Sequence, residues 1–546
     1  MKNLFTLSIL VCLLFFTFSV NGQNSTWLKA FNSKDRIGSI INKTDKSGNV
    51  YMTEHFTETM DADPGPGTSL LQSSGIGIYL IKFDGNGQFL WAKSYDGLNS
   101  TTYPSAFCID DSANLYFTGY FNKTAYLTIL GYPDSLVSEG GFDAFVIKMD
   151  SSGGIRWARS FGESGAPQAG SDDIGHAITL DVSGNIYVNG YFWNEIDFSS
   201  GAGTAKKGVP GKQSGFLLKL SAIGQLIWVR AMPSTRNIYG WLVQTDDDKN
   251  VYILDINNGS TEFDPGNASA TINEMNSTWC LAKYDQLGNF IWVKKIANYT
   301  QSLCISGKDI FTCTSDTVYY YNSAGSNIWQ KKVGPNALLT SDNLGNLYCY
   351  GTFRNPFGIK HGNLTDSVIN RDTSEIYMIK LNHQGDFTWV KLIGSLPGHY
   401  ASEFANDLFV DDKQNIYASG RFAGNPDFNP GTDSLFAGNT SNSSMTRTFL
   451  LKLDASLNPT GFQRPVQMAG IKIYPNPGNG IVNLELDTEL EKLSAVLFNL
   501  QGKRIKEFQL NSVSNQLDIT ECPSGVYFLS ISDKTGFKKT VKIVKE

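Results

Sequence analysis

Asp181-Val182-Ser183-Gly184-Asn185-Ile186-Tyr187 decides the fold, because its pattern of Asp, an Asn four residues on and a Tyr two further returns along most of the chain. It recurs as Asp45…Asn49…Tyr51, Asp110…Asn114…Tyr116, Asp246…Asn250…Tyr252, Asp342…Asn346…Tyr348 and Asp411…Asn415…Tyr417. A degenerate copy is Gly307-Lys308-Asp309-Ile310-Phe311. Asp, Asn and Gly belong to tight turns, since they accept positive φ and bond their own backbone. The Tyr opens a run of alternating apolar residues that reads as a strand. Each turn is preceded by a tryptophan strand carrying Trp27, Trp91, Trp157, Trp228, Trp292, Trp329 or Trp389. Those tryptophans lie roughly 60 to 70 residues apart, with one gap of about 40, which is the period of a propeller or a solenoid.

The rest of the unit follows from its remaining turns. Tyr79-Leu80-Ile81-Lys82-Phe83-Asp84, Phe145 to Asp150 and Phe449 to Asp454 are apolar strands running into a second turn. From that turn an Asp, a Gly and the next Trp fall at fixed spacing, as in Asp84…Gly87…Trp91 and Asp285…Gly288…Trp292. Four strands per unit and seven units predict an all-β chain whose residues 23–455 form a seven-bladed β-propeller. The last unit has no Trp strand of its own, and the mature chain begins with an orphan one, Trp27-Leu28-Lys29-Ala30-Phe31. Pairing that strand into the seventh blade seals the ring and removes an open edge.

Composition suits this reading. Hydrophobic residues make up 41% of the 546, with 53 Gly for the turns, and a net charge of −6 gives no support for nucleic-acid binding. Residues 1–22, with Lys2 ahead of the apolar run Leu4 to Val20, read as a cleaved signal peptide, and no other segment could span a bilayer. Export favours disulfides. Cys304 and Cys313 flank the fifth turn and are expected opposite each other across a hairpin; Cys108, Cys280 and Cys349 stand where other units carry apolar residues and read as small core residues.

After a linker at 456–469 the repeat is gone. Ile473-Tyr474-Pro475-Asn476-Pro477 with Gly480 is followed by Val496-Leu497-Phe498-Asn499, Gly502, Pro523-Ser524-Gly525-Val526-Tyr527 and a final run holding Lys542 and Lys545. In this order the motifs resemble the C-terminal sorting domain of the type IX secretion system of the Bacteroidota, over residues 470–546. The resemblance implies a small immunoglobulin-like β-sandwich, passage through the periplasm and across the outer membrane by the type IX machinery, and release or attachment at the cell surface. The propeller units resemble repeat proteins found upstream of such domains. Their Trp turns also resemble the tryptophan-docking motif of quinoprotein propellers, one residue shorter. The adjacent cysteines of many quinoprotein dehydrogenases are absent, which speaks against a quinone.

Chemistry is sparse. No His-Glu-x-x-His, Gly-x-Ser-x-Gly, phosphate-loop or dinucleotide motif occurs. The two short turns of each unit share one face, while Thr57 to Gly77, Asn122 to Gly141, Asn194 to Ser214 and Phe422 to Thr446 form long connections on the other, where binding residues concentrate. On that face Asp61-Ala62-Asp63-Pro64-Gly65, Glu262-Phe263-Asp264-Pro265-Gly266 and Asp427-Phe428-Asn429-Pro430-Gly431 repeat, with a partial copy at Asp197-Phe198-Ser199. Their oxygens could ligate calcium, or Asp could simply cap a Pro-Gly turn. The Gly that ends most second strands becomes Glu54, beside His55, in the first unit and Asp255 in the fourth; these are acid–base candidates or drifted surface carboxylates. Trp193 and Trp241 lie outside the repeat position and are candidates for a sugar platform.

Together these features predict an exported binding or scaffold module for polysaccharide or a surface protein. The rival is an extracellular glycan hydrolase or lyase with carboxylates around the axis.

Overall fold

The computed structural model describes residues 27–32, 40–95, 102–129, 132–138, 140–162, 172–199, 204–297, 299–361, 364–368, 374–394, 401–429, 435–437, 447–454, 471–486, 493–500, 503–510, 514–532 and 538–546. Residues 1–22, expected to be a signal peptide, residues 456–469, expected to be a linker, and Pro430, Gly431 and Gly502 lie outside them. The described residues hold one short 3-10 turn, Ala268–Ala270, amid strands, and no helix long and apolar enough to cross a membrane.

Among the described residues seven sheets follow one another, six of them four-stranded and antiparallel and the second widened to six strands by an added hairpin. The first contains Ile41–Thr44, Val50–Asp61, Leu70–Phe83 and Phe89–Tyr95, and the third Ile174–Leu180, Ile186–Asp197, Lys206–Leu220 and Leu226–Pro233. The second is built on Thr102–Ile109, Leu115–Phe121, Asp143–Met149 and Ile155–Phe161, the fourth on Asn237–Thr245, Val251–Glu262, Thr271–Tyr284 and Phe290–Lys295. Ser302–Ser306, Asp309–Cys313, Thr317–Tyr321 and Asn327–Lys332 make the fifth, and Leu338–Ser341, Leu347–Phe353, Glu375–Leu381 and Phe387–Ile393 the sixth. In the seventh, Ala401–Val410, Ile416–Gly424 and Arg447–Leu453 are completed by Trp27–Asn32, which pairs from Trp27↔Lys452 to Asn32↔Arg447. The first strand of each sheet touches that of the next, and the seventh sheet's touches the first's. The sheets therefore form a closed ring.

The recurrent polar motif is one hydrogen-bonded unit. In all six full copies the Asp carboxylate accepts the Asn N–H, the Asn side-chain amide and the Tyr hydroxyl, the last at 2.9–3.2 Å. A third-strand Lys lies over the Tyr ring, 4.8 Å away for Lys219 over Tyr187. Burial opposes ionisation of Asp181, yet the Asn185 and Ser183 donors and Lys219 hold its pKa below the ordinary range.

The tryptophans join neighbouring sheets. Trp228 Nε1 and Lys219 Nζ both donate to the Gln286 carbonyl of the fourth sheet, at 3.2 and 3.0 Å. Trp27 and Lys452 do the same at Gly85, Trp157 and Lys148 at Ala222, and Trp292 and Lys283 at Ser323. Beneath five of the seven indoles sits a turn glycine: a Cβ on Gly87 (φ +79°) would lie 2.8 Å from Trp27. The repeated tryptophans are thus packing residues between sheets.

Two expectations are corrected. Much of the supposed long loops is hairpin arm: Val50–Asp61 pairs with Leu70–Phe83, and Ile186–Asp197 with Lys206–Leu220. Bulges at Phe56/Glu58 and Trp193/Glu195 break the alternation that would have revealed these arms. Cys304 and Cys313 are not opposed, because the hairpin closes between Ser306 and Asp309, pairing Cys304 with Phe311 and Cys313 with Ser302. Both are free thiols, raised by burial to about 11 and about 12. Cys280 and Cys349 are buried, while Cys108 is half-buried.

Residues 471–545 form two further antiparallel sheets, of three and four strands, over one core that includes Leu484, Leu497, Leu517, Leu529 and Ile543.

Candidate functional site

In four sheets the first strand bulges, the pairing skipping Ser105, His176, Trp241 and Asn406. The bulge drives a carbonyl onto the second strand, so that a Cβ on Gly119 or Gly190 would lie 2.0 Å from the Tyr103 or Ile174 oxygen. That is why the second strand ends with glycine. In the fourth sheet Gly240 has taken over on the first strand, opposite Asp255.

Asp255 is fully buried. Asn189 Nδ2 of the third sheet donates to its Oδ1 at 2.7 Å, and the Trp241 N–H faces the carboxyl. Burial outweighs both donors and pushes its pKa up to about 7. Glu54 is buried too, accepting from Arg421 (2.7 Å), the Tyr79 hydroxyl (2.8 Å) and the Thr448 hydroxyl (3.2 Å). It ties the first sheet to the seventh. Consecutive strand residues face opposite ways, and His55 turns instead to Tyr103 of the second sheet, 5.4 Å between rings. Glu54 and His55 thus face different neighbouring sheets, and neither Glu54 nor Asp255 is a surface carboxylate.

Around these positions the bulges and the residues after the glycines bring aromatic rings together. Tyr103 stacks on Tyr120 at 4.9 Å, and Tyr191 meets Tyr239 edge-on at 5.3 Å. His176 lies 5.6 Å from Trp241 and 5.9 Å from Tyr191, and Trp279 braces Trp241 at 5.9 Å. Trp241 remains 38% exposed. Burial lowers His176 to about 4, leaving it neutral at physiological pH. All these residues lie on the first three strands toward the long-connection face, as an aromatic collar. Trp193 is half-buried, gives its N–H to Asp173 (2.9 Å) and, among the described residues, has no ring contact with the collar.

Beyond the collar the rim is polar. The fifth sheet joins its second and third strands through Thr314 to Asp316 alone, and a cavity of about 720 Å³ opens beside it. Asp316 and Lys332 pair there at 3.1 Å, and Arg354 lies 5.8 Å over the exposed Phe404 ring.

The acidic loop motifs act as loop clamps. Asp61 Oδ1 accepts the N–H of Asp63 and Ser69, Asp197 Oδ1 those of Ser199 and Ala205, and Asp427 Oδ1 those of Asn429 and Leu435. Asp63 Oδ1 accepts the Gly65 N–H, and the Asp264 side chain that of Asn267 Nδ2. The following residue, Ala62, Phe198, Phe263 or Phe428, is buried. Glu262 is exposed, and among the described residues no three acidic, His or Cys side chains are grouped to hold an ion. With three of the four first acids engaged by backbone and no such group among the described residues, these residues do not fit calcium.

The C-terminal motif residues converge on the last strand. Asn476 donates to the Lys542 carbonyl (2.7 Å) and accepts the Val544 N–H (2.8 Å). Lys545 Nζ reaches the Thr520 and Cys522 carbonyls, the Gly480 carbonyl accepts the Ile519 N–H, and the Tyr527 hydroxyl donates to Pro523. Tyr474, after which Pro475 and Pro477 flank Asn476, donates to Glu485, and Gly525 pairs with Lys545.

The sequence alone singled out Asp255 and Trp241, which the fold brings together, but missed His176, Tyr103, Tyr120, Tyr239 and Phe404. A signal was present: Ser105, His176, Trp241 and Asn406 each stand five residues before a motif Asp.

Residues 472–546 match the family described as secretion system C-terminal sorting domain. An uncharacterized WD repeat-containing protein of Acanthamoeba polyphaga mimivirus is 21% identical over 444 residues, 70% of this chain. The chain matches only 30% of that relative's length. The Pan2 WD40 domain of Neurospora crassa is 9% identical with a TM-score of 0.39, covering 80% of this chain and 98% of its own. BamB of Moraxella catarrhalis is 12% identical (TM-score 0.33; 76% and 98% covered), and PorZ of Porphyromonas gingivalis, titled a surface component of the type-IX secretion system, 10% identical (TM-score 0.20; 95% and 100%). The sorting domain marks export by the type IX system to the cell surface or the medium.

Proposed function

We propose that this propeller protein with a type IX sorting tail is a seven-bladed β-propeller that binds polysaccharide at the outer cell surface through its aromatic collar. Residues 1–22 are its leader, 23–455 the propeller, 456–469 a linker, and 470–546 an immunoglobulin-like sandwich handed to the secretion machinery. The carrying observation is Trp241, exposed yet held in place by His176 and Trp279. A fixed indole face offers apolar area at little entropic cost, and the nearby tyrosine hydroxyls supply hydrogen bonds. A pyranose presents the complement: a flat C–H face edged by hydroxyls. An axial hydrolase needs two carboxyls flanking the scissile bond. Glu54 and Asp255 are buried in separate sheets, which favours binding over hydrolysis.

The test is a glycan array probed with the full chain and with Trp241→Ala, in Ca²⁺ and in EDTA. Selective binding that W241A removes and EDTA leaves intact supports this reading. Binding lost in EDTA restores a metal role for the acidic loops. Absence of glycan binding in both buffers moves the assignment to a protein partner.

A further inference from the structure

Three sheets fill the same internal position with an aromatic triad. In the third, Phe198 from the loop sits between Phe192 (5.5 Å) and Phe216 (5.3 Å). In the seventh, Phe428 meets Phe422 and Phe449 at 5.1 and 4.8 Å, and in the sixth Phe357 meets Phe353 and Tyr377 at 5.2 and 5.1 Å. The second sheet has the two flanking rings, Phe121 and Phe145, 6.3 Å apart, but no third among the described residues. Its connection forms a hairpin, Thr124–Ile129 with Tyr132–Val137, drawn outward against the fourth strand by the parallel pairing Ile155↔Ile129. The residue in register with Phe198 and Phe428, six after the strand Phe, is Leu127.

A cavity of about 490 Å³ occupies that region, between the first and second sheets. Phe121, Phe145, Ile147 and Ala125 line it from the second sheet and Ile78 and Leu80 from the first. Its size falls within the roughly 300–1,000 Å³ of small-molecule sites. Two cations stand among the lining residues, both exposed. Arg156 is paired with Asp150 at 2.7 Å, whereas no carboxylate among the described residues lies within ion-pair reach of Lys93.

We infer that this cavity binds a single-chain amphiphile, its acyl chain against the phenylalanines and its anionic head group at Lys93. The site is separate from the collar and stands or falls independently of the polysaccharide reading.

The test is calorimetric titration of the full chain with dodecanoate below its micelle concentration and with dodecan-1-ol. Dodecanoate is expected to bind saturably at one site. Lys93→Ala should weaken dodecanoate by about three- to fivefold, the scale of one exposed ion pair, and leave dodecanol unchanged. Ala125→Phe, which supplies the missing ring, should abolish both while the circular dichroism spectrum persists; Leu127→Phe serves if the first variant unfolds. Vesicles of phosphatidylglycerol present the same chemistry in a bilayer, and capture by vesicles without free dodecanoate binding assigns the occupant to a membrane lipid. No binding to either, or binding that both Phe variants leave intact, overturns the inference.

Discussion

On the short-turn face of the ring six Asp side chains make the same three hydrogen bonds to an Asn and a Tyr, and four pairs of neighbouring sheets meet through the same Trp–Lys grip on a carbonyl. On the opposite face the equivalent positions diverge: Tyr103 corresponds to Ile174, Tyr239 and Phe404, and Ser105 to His176, Trp241 and Asn406. The first face is uniform because each of its carboxylates depends on the same set of donors to offset burial. The second is free to vary because its side chains end in solvent or on one another. The contrast places the recurrent hydrogen-bonding pattern on one face and the proposed recognition surface on the other.

The contrast breaks most visibly at Asp181. Asp181→Ala removes the acceptor shared by the Asn185 amide and the Tyr187 hydroxyl and the counter-charge of buried Lys219, and is expected to cost about 3 kcal/mol in urea unfolding. Ligand binding at the collar should survive as long as the chain is folded. Gly87→Ala places a methyl group against Trp27 at positive φ, for an expected loss of about 1–3 kcal/mol in the same assay.

Asp255 sharpens the comparison through pH. A free Asp ionises near pH 4, whereas the folded protein keeps this proton to about 7. Between those values the folded state holds a proton the unfolded chain has released, so its contribution to stability falls as pH rises, by up to about 1.4 kcal/mol per unit, and levels off above. Asp255→Asn should flatten that slope in melting curves taken across the window. The smallest effect on stability belongs to the recognition face: Trp241→Ala should shift unfolding by less than about 1 kcal/mol, yet reduce glycan affinity tenfold or more. A large loss of stability there would erase the distinction between the faces.

Legibility in the sequence followed the same division. The Asp…Asn…Tyr turn was readable because its hydrogen bonds demand those atoms at those spacings. The tryptophan strands were readable because a Gly turn packs beneath most of the indoles. The hairpin arms were hidden by bulges that reverse the alternation, and the Cys304–Cys313 register by a turn one residue away from the symmetric guess. The burial of Glu54 and Asp255 was invisible, since their partners Arg421 and Asn189 come from neighbouring sheets and no local spacing encodes them. The missing ring of the second sheet could be seen only once three other sheets had shown where it belongs.

The sealing of the seventh sheet by Trp27–Asn32 also has a mechanical meaning. Arg447–Leu453, the last strand before the tail, is held by ladders on both sides, to Ile416–Gly424 and to Trp27–Asn32. Tension applied through the tail along that strand loads two rows of hydrogen bonds in parallel instead of peeling one row from an edge. The same seam joins residues more than 400 positions apart in sequence, so the ring acquires this grip only once its final repeat is in place, and a chain lacking that repeat is left with an open edge.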